Sequence, residues 1–465
     1  MGEFQTINGP LLIPQPSGAV VYHRQGALRW DERGDLTFAG AEKDLPTRRG
    51  ITRTTKNILL PPFLDAHIHI PQWPIRGKFC DGIAGNPPEG RLLAGLNRNV
   101  FPFEGKCSAD DHAHWVIDSF RTDTLSKGVV GGSAYMTVHS AATQIALSQL
   151  SDLWHVGLVL MNINCPTFLR TDQAHLDRDV RSLAEQFGRR FIVTDRFAVS
   201  VDSELRKHAA KLSEQFGLRM QTHLNEQHAE KAFIEQVLYP DAKTYTNVYA
   251  RDGLLQREAI LAHCIHMSDE EYEQVQQSGS VIAHCPTSNT LLGSGVMPLD
   301  RVMEHDIPYA ICTDVGASPT TSILCEMRQF VRIHAGRSSR ATATEALFRT
   351  TLGAAQLLQI ETKVGHLAAH RPASFIEVEP SPDFSLDGTA EQIIARHLLA
   401  IGNDFEREVE ALQPAVNRLA IGSVQTGGPE MDALAKDFDH TMALLDQKVA
   451  RVTVSGKTLF EKKAK

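Results

Sequence analysis

Between Phe63 and Thr313, eight short apolar runs alternate with amphipathic stretches, and this alternation narrows the fold more than any other feature of the chain. The runs are Phe63–His69, Val129–Val138, Val156–Ile163, Phe191–Thr194, Arg219–His223, Ile260–His263, Val281–His284 and Tyr309–Thr313. Between them, stretches such as Asp111–Lys127, Ser203–Phe216 and Glu226–Leu238 carry apolar residues at three- and four-residue spacing, as a helix packed on a sheet requires. The pattern predicts an α/β fold, and eight units predict a (β/α)8 TIM-type barrel rather than an open sheet.

The flanks read differently. Residues 1–58 hold only short β-type pieces (Ala19–Tyr22, Leu28–Trp30 and Leu36–Ala39), and the β pattern returns at Ala373–Val378 and Val452–Leu459. Thr389–Val449 reads as two or three helices punctuated by Pro414 and the Gly427-Gly428-Pro429 break. The expected organisation is a barrel over 59–366 and a small flanking β-domain, sandwich-like, built from both chain termini, 1–58 plus 367–465, with a helical insertion near 389–449.

The chemistry concentrates at strand ends. In Phe63-Leu64-Asp65-Ala66-His67-Ile68-His69, the two histidines are two residues apart on a strand, so they point to one face and can share a cation. The same spacing at His112-Ala113-His114 falls in a helical pattern, where such residues diverge, and these two read as solvated surface residues. Further strands end in His223, His263 and His284, and the last in Asp314. A polar strand end is ordinarily a cap. Five of eight strands ending in histidine or aspartate, at the barrel face where active sites form, is hard to explain as packing. Nitrogen and oxygen donors suit one divalent metal ion per chain, zinc or iron(II), and leave Cys264, Cys285 and Cys312 as small buried apolar residues.

These residues resemble the amidohydrolase family, in which a first-strand His-x-His, histidines from strands five and six and an aspartate from strand eight surround the metal. The resemblance runs from Leu59 to Val378. No lysine ends strand four to bridge two metals, and Arg196 stands there instead, which favours the mononuclear deaminase type. Finer motifs are similar to the guanine deaminase branch: His67-Ile68-His69-Ile70-Pro71-Gln72, Val193-Thr194-Asp195-Arg196-Phe197-Ala198-Val199-Ser200, Tyr245-Thr246-Asn247-Val248-Tyr249, His284-Cys285-Pro286-Thr287-Ser288-Asn289 and Thr351-Leu352-Gly353-Ala354-Ala355-Gln356. The loop after Asp314, Val315-Gly316-Ala317-Ser318-Pro319, and the Gly- and Pro-rich loop Trp73–Glu89 depart from that branch, and both adjoin the expected mouth.

The resemblance implies metal-dependent hydrolytic deamination of an aminated purine, guanine to xanthine and ammonia. The metal ligands would be His67, His69, His223, His263 and Asp314; the catalytic residues Glu226, Asp314 and His284; and the substrate-binding residues Gln72, Arg196 and Phe197. Glu226 would protonate a ring nitrogen, Asp314 would take the proton of the attacking water, and His284 would orient that water. Ordinary alternatives are a helix N-terminal acid for Glu226, a rim salt bridge to Asp195 for Arg196 and a solvated loop residue for Gln72. Rival substrates are 8-oxoguanine, a pterin, cytosine or an s-triazine. A non-catalytic scaffold of the same fold is a remote alternative, because every expected ligand position is filled.

Composition closes off other classes. Among the 465 residues, 42% are hydrophobic and 22% charged, which excludes a largely disordered chain. A net charge of −8 without a basic run argues against nucleic acid or an anionic membrane as partner. The seven scattered cysteines form no disulfide framework and lack the Cys-x-x-Cys pair of the zinc-cysteine nucleic-acid deaminases. The start, MGEFQTINGPLLIPQ, does not read as a signal peptide. The expectation is a cytoplasmic enzyme acting on a small heterocycle, with the homodimer that the resemblance implies.

Overall fold

Parallel pairing in chain order joins Phe63–His69, Val129–Tyr135, Trp154–Leu160, Phe191–Asp195, Arg219–Leu224, Ile260–His263, Val281–His284 and Tyr309–Ile311 into one eight-stranded sheet. The computed structural model describes residues 4–46, 50–83, 90–421 and 428–463. The ring closes where the chain leaves strand eight: Asp314 N–H donates to His67 O at 3.0 Å, and His69 N–H donates to Val315 O at 2.8 Å. Asp65 ties the same seam from inside, accepting from His67 N–H, Thr313 N–H and, at 2.6 Å, the Thr313 hydroxyl. The barrel is a (β/α)8 barrel with a filled interior. Below the mouth, Gln221 accepts from the Ser133 hydroxyl at 2.7 Å and donates to Thr194 Oγ1 at 2.9 Å. Gly157 makes room for this layer, since a Cβ there would stand 1.9 Å from Thr194 Oγ1.

Both termini contribute to a second, mixed sheet of eight strands. Its longest members are Phe4–Pro14 and Val20–Trp30, paired antiparallel, and Phe375–Val378 joins it to the C-terminal hairpin Val449–Val454 and Lys457–Glu461. All eight strands hydrogen-bond into a single connected sheet, where the sequence suggested a sandwich. Beside the short pieces expected in residues 1–58 stands a further strand, Phe4–Pro14, whose register shift between Gly9 and Leu11 falls where Pro10 has no N–H to donate. Two local expectations need correction. Val452–Leu459 is two strands rather than one, turned at Ser455-Gly456, where both residues have positive φ (48° and 73°) as a tight hairpin turn demands. Pro414 does not break a helix but sits within Phe405–Ala420.

The two long helices of the insertion, Phe405–Ala420 and Pro429–Leu445, pack on the barrel. Leu412, Ala415, Val416 and Leu419 from Phe405–Ala420, with Met431 and Leu434 from Pro429–Leu445, form a core with Val296 and Ile333. Ile333 belongs to Ile323–His334, the helix after strand eight, which is buried at every residue but the half-buried Val331. Gly427 lies outside the described residues, and so does the 84–89 part of the Trp73–Glu89 loop. We propose the division 1–58 with 367–465 and 59–366 for the two units, with Ile58–Leu60 as the strand that leads from the terminal sheet into the barrel. Among the described residues no helix is long and apolar enough to cross a membrane.

Candidate metal centre and substrate pocket

Strand ends carry side chains into the mouth because the chain turns sharply there. His263 and Asp314 have φ values of 73° and 54°, in the left-handed region that residues with a Cβ rarely occupy. Both side chains reach the same space. One ligand atom from each of His67, His69, His223 and Asp314 lies within 4.8 Å of the others, and all four residues are buried. His67 Nε2 and His69 Nε2 stand 3.3 and 3.2 Å from Asp314 Oδ1. His223 presents Nδ1 to the Arg196 carbonyl at 2.6 Å, which leaves Nε2 for the cluster.

The electrostatics fit a cation. Burial depresses the pKa of His67, His69 (to about 3) and His223, so the imidazoles are neutral and their lone pairs available. Burial opposes the charge of Asp314, but the His67 and His69 contacts outweigh it and hold its carboxyl well below the usual range. Both ring nitrogens of His67 and Nδ1 of His69 are buried without a hydrogen-bond partner among the described residues. A buried anion among unpartnered neutral imidazoles is costly unless a metal completes it.

His263 does not join the four. Its Nδ1 lies 2.8 Å from Asn289 Oδ1, and its buried Nε2 faces Glu226 Oε2 at 3.6 Å. Glu226 follows strand five, is buried, and accepts from the Ser294 hydroxyl at 2.8 Å. Burial raises its pKa to about 8, with the neighbouring Asp314 charge acting in the same direction. Its backbone N–H donates to the Glu230 carboxylate at 3.2 Å, as does that of Gln227, and Tyr245 Oη–H donates to the other Glu230 oxygen at 2.8 Å. The helix that follows begins at His228, so Glu226 precedes its first turn and points into the mouth rather than capping it.

His284 departs from its expected place. Its Nε2 lies 3.2 Å from His334 Nε2, its ring packs on Phe330, and it does not line the pocket. Strand seven ends one layer back from the mouth, and the residues that follow it supply Ser288, whose hydroxyl donates to Asp314 Oδ2 at 2.5 Å.

The pocket beside the cluster has an empty volume of about 360 Å³, which includes space open to solvent. Gln72, Arg196 and Phe197 line it with Glu226, His263 and Asp314, while Phe79, Leu92, Leu96 and Leu292 form an apolar wall. Arg196 is buried and pairs at 2.5 Å with Glu104, not with Asp195. Asp195 instead accepts from the Thr222 and Tyr249 hydroxyls. Gln72, in the 3-10 turn Ile70–Ile75 after strand one, is likewise buried and donates to Glu104 at 3.0 Å. Glu104 carries no signal in the sequence, because it lies in a short helix far from any strand end.

The two departures from the family pattern meet here. Gly77 N–H donates to Gly316 O at 3.0 Å, and Gly316 N–H donates to Gln72 Oε1 at 3.3 Å. Gly77, with φ 75°, also leaves room for Pro319, whose Cβ would lie 2.7 Å from any Cβ added there. The second His-x-His keeps its distance. His114 is exposed and contacts Gln149, while His112 is half-buried against Trp115 rather than solvated.

Comparison with known proteins gives the following. The model of the amidohydrolase family matches residues 58–411. The guanine deaminase of Escherichia coli is 27% identical over 366 residues, covering 77% of this chain and 80% of that protein. The guanine deaminase of Mus musculus is 27% identical over 370 residues, covering 74% and 79%. Among solved structures, guanine deaminase from C. acetobutylicum with bound guanine in the active site superposes with a TM-score of 0.76 at 22% identity, covering 98% of this chain and 100% of that one.

Proposed function

The chain belongs to the amidohydrolase family, and from that premise we propose that it catalyses the metal-dependent hydrolytic deamination of guanine to xanthine and ammonia. The observation that carries this reading is the pairing, in one buried pocket, of a three-histidine, one-aspartate cluster with a buried carboxyl, Glu226, whose pKa burial raises to about 8, and a polar edge made by Gln72 and Arg196. Guanine deaminases from bacteria and mammals among the relatives support the substrate.

His67, His69, His223 and Asp314 would hold one divalent ion, zinc or iron(II). When bound, such an ion supplies Lewis-acid activation of water near neutral pH. The remaining work falls to the chain's own groups. Asp314, ionised, takes a proton from the attacking water. Glu226, neutral below about pH 8, gives its proton to the ring nitrogen beside the carbon under attack. That carbon gains a hydroxyl; as its C–N bond breaks, the proton held by Asp314 leaves with the amino group as ammonia, and the hydroxyl proton passes to Glu226, which leaves the C=O of xanthine and restores the acid. His263 takes the water-orienting part expected of His284, because its unpartnered Nε2 faces Glu226 within the pocket. Gln72 and Arg196 bind the carbonyl-bearing edge of the base, and Phe197 flanks it.

Ammonia release from purified protein of known metal content tests the reading, with guanine, 8-oxoguanine, a pterin, cytosine and melamine compared side by side. Rapid release from guanine is expected. Release from another heterocycle alone would keep the chemistry and discard the substrate.

A further inference from the structure

Glu104 has not been given a part in the reaction, yet it is the most constrained acid near the substrate edge. It lies on Phe101–Lys106, is 1% exposed, and lines no part of the pocket itself. One oxygen, Oε1, accepts from both Gln72 Nε2 (3.0 Å) and Arg196 Nη1 (2.5 Å). The other, Oε2, is buried with no hydrogen-bond partner among the described residues. Gln72 is fixed at its far end as well, where Oε1 accepts the Gly316 N–H. With both ends of the amide committed in this way, its donor and acceptor cannot exchange places without breaking two contacts.

Charge is the second consequence. A buried guanidinium without a counter-ion would draw an anion into the pocket. Here the pair is already complete, with side-chain exposures of 3% and 1% for Arg196 and Glu104. A carboxylate, a phosphate or a deprotonated heterocycle would find no net positive charge on the Gln72–Arg196 edge. A neutral base loses nothing by the pairing, because the remaining guanidinium N–H groups still donate.

We propose that Glu104 is a positioning and specificity residue: it locks the Gln72 amide and the Arg196 guanidinium in one orientation, and by cancelling the charge of Arg196 it leaves the Gln72–Arg196 edge with no charge to hold an anion, so that this edge selects for uncharged heterocycles. The proposal rests on the reading of the pocket as a heterocycle site. Its core claim about charge can be tested without turnover.

The experiment compares metal-loaded wild type, Glu104→Gln and Glu104→Asp, using urate, a heterocyclic anion at neutral pH, as the probe. Urate binding is measured by calorimetric titration, and kcat and KM are measured for guanine. In Glu104→Gln the charge is lost, so urate should bind about tenfold tighter or more, while KM for guanine rises about tenfold and kcat changes little. In Glu104→Asp the charge stays but the reach is shortened, so urate affinity should stay at the wild-type level while KM still rises. This second variant keeps the test open if the first does not fold, since a wild-type KM with the shorter acid would overturn the positioning role. Equal urate affinity in wild type and a folded Glu104→Gln would overturn the charge-selection role. A fall in kcat with unchanged KM in both variants would overturn the proposal as a whole. Failure of guanine as a wild-type substrate counts against the proposed function instead, and leaves the urate comparison intact.

Discussion

One wall of the pocket is made of strand ends and the other of connecting segments, and the two solve opposite electrostatic problems. On the metal wall, backbone hydrogen bonds between strands one and eight hold Asp314 among three neutral imidazoles, and among the described residues no lysine or arginine pairs with it. On the opposite wall, a 3-10 turn, a short helix and the chain after strand four bring Gln72, Glu104 and Arg196 into a closed set whose charges cancel. The first wall is incomplete without a cation. The second has its charges paired within itself and offers only hydrogen bonds. A pocket built this way draws its metal by charge and its substrate by shape and donor pattern.

The largest effect should come from breaking the first wall. Stripping the metal with a chelator is expected to bring turnover to background, and zinc should restore it, followed by ammonia release and by metal content per chain. Next comes the acid between the walls. Glu226→Gln should retain metal and lower kcat by roughly 10²- to 10⁴-fold, the range for loss of a general acid; retained turnover would remove its role.

Breaking the second wall should cost binding more than chemistry. Arg196→Ala leaves Glu104 as a buried unpaired carboxylate, so KM should rise by roughly 10-fold or more and the melting temperature should fall, with metal content unchanged. A fall in kcat alone would blur the distinction between the walls.

The pH profile sharpens it. Glu226 has its pKa raised to about 8 by burial and by the Asp314 charge, so it is a proton donor below that pH and loses its proton above it. Activity should therefore fall on the alkaline side with an apparent pKa near 8. The smallest effect is expected for Ser294→Ala. Its hydroxyl lowers the Glu226 pKa, so its removal should shift the alkaline limb to higher pH while changing kcat by about tenfold or less.

The legibility of the site follows the same division. His67, His69, His223 and Asp314 could be read because strand periodicity fixes where alternate residues point, and barrel topology fixes which strand ends converge. The opposite outcome at His112 and His114 follows from the same reasoning applied to a helix. His284 met every local criterion and still faces His334, because strand seven pairs it with Ile311, three residues before Asp314. Glu104 was invisible, as was the joining of the 73–83 and 315–319 loops through Gly77 and Gly316, since their partners are distant in sequence and follow no period.

The sequence by itself determined the barrel, the terminal sheet and the convergence of His67, His69, His223 and Asp314, because each depends on short-range periodicity and on chain order. Only the tertiary structure decided that His263 faces Glu226, that Arg196 is neutralised by Glu104, and that the two long helices of the insertion pack behind strand eight. Burial sets these outcomes: once water is excluded, each charge and each polar atom must find its partner wherever the fold has placed one.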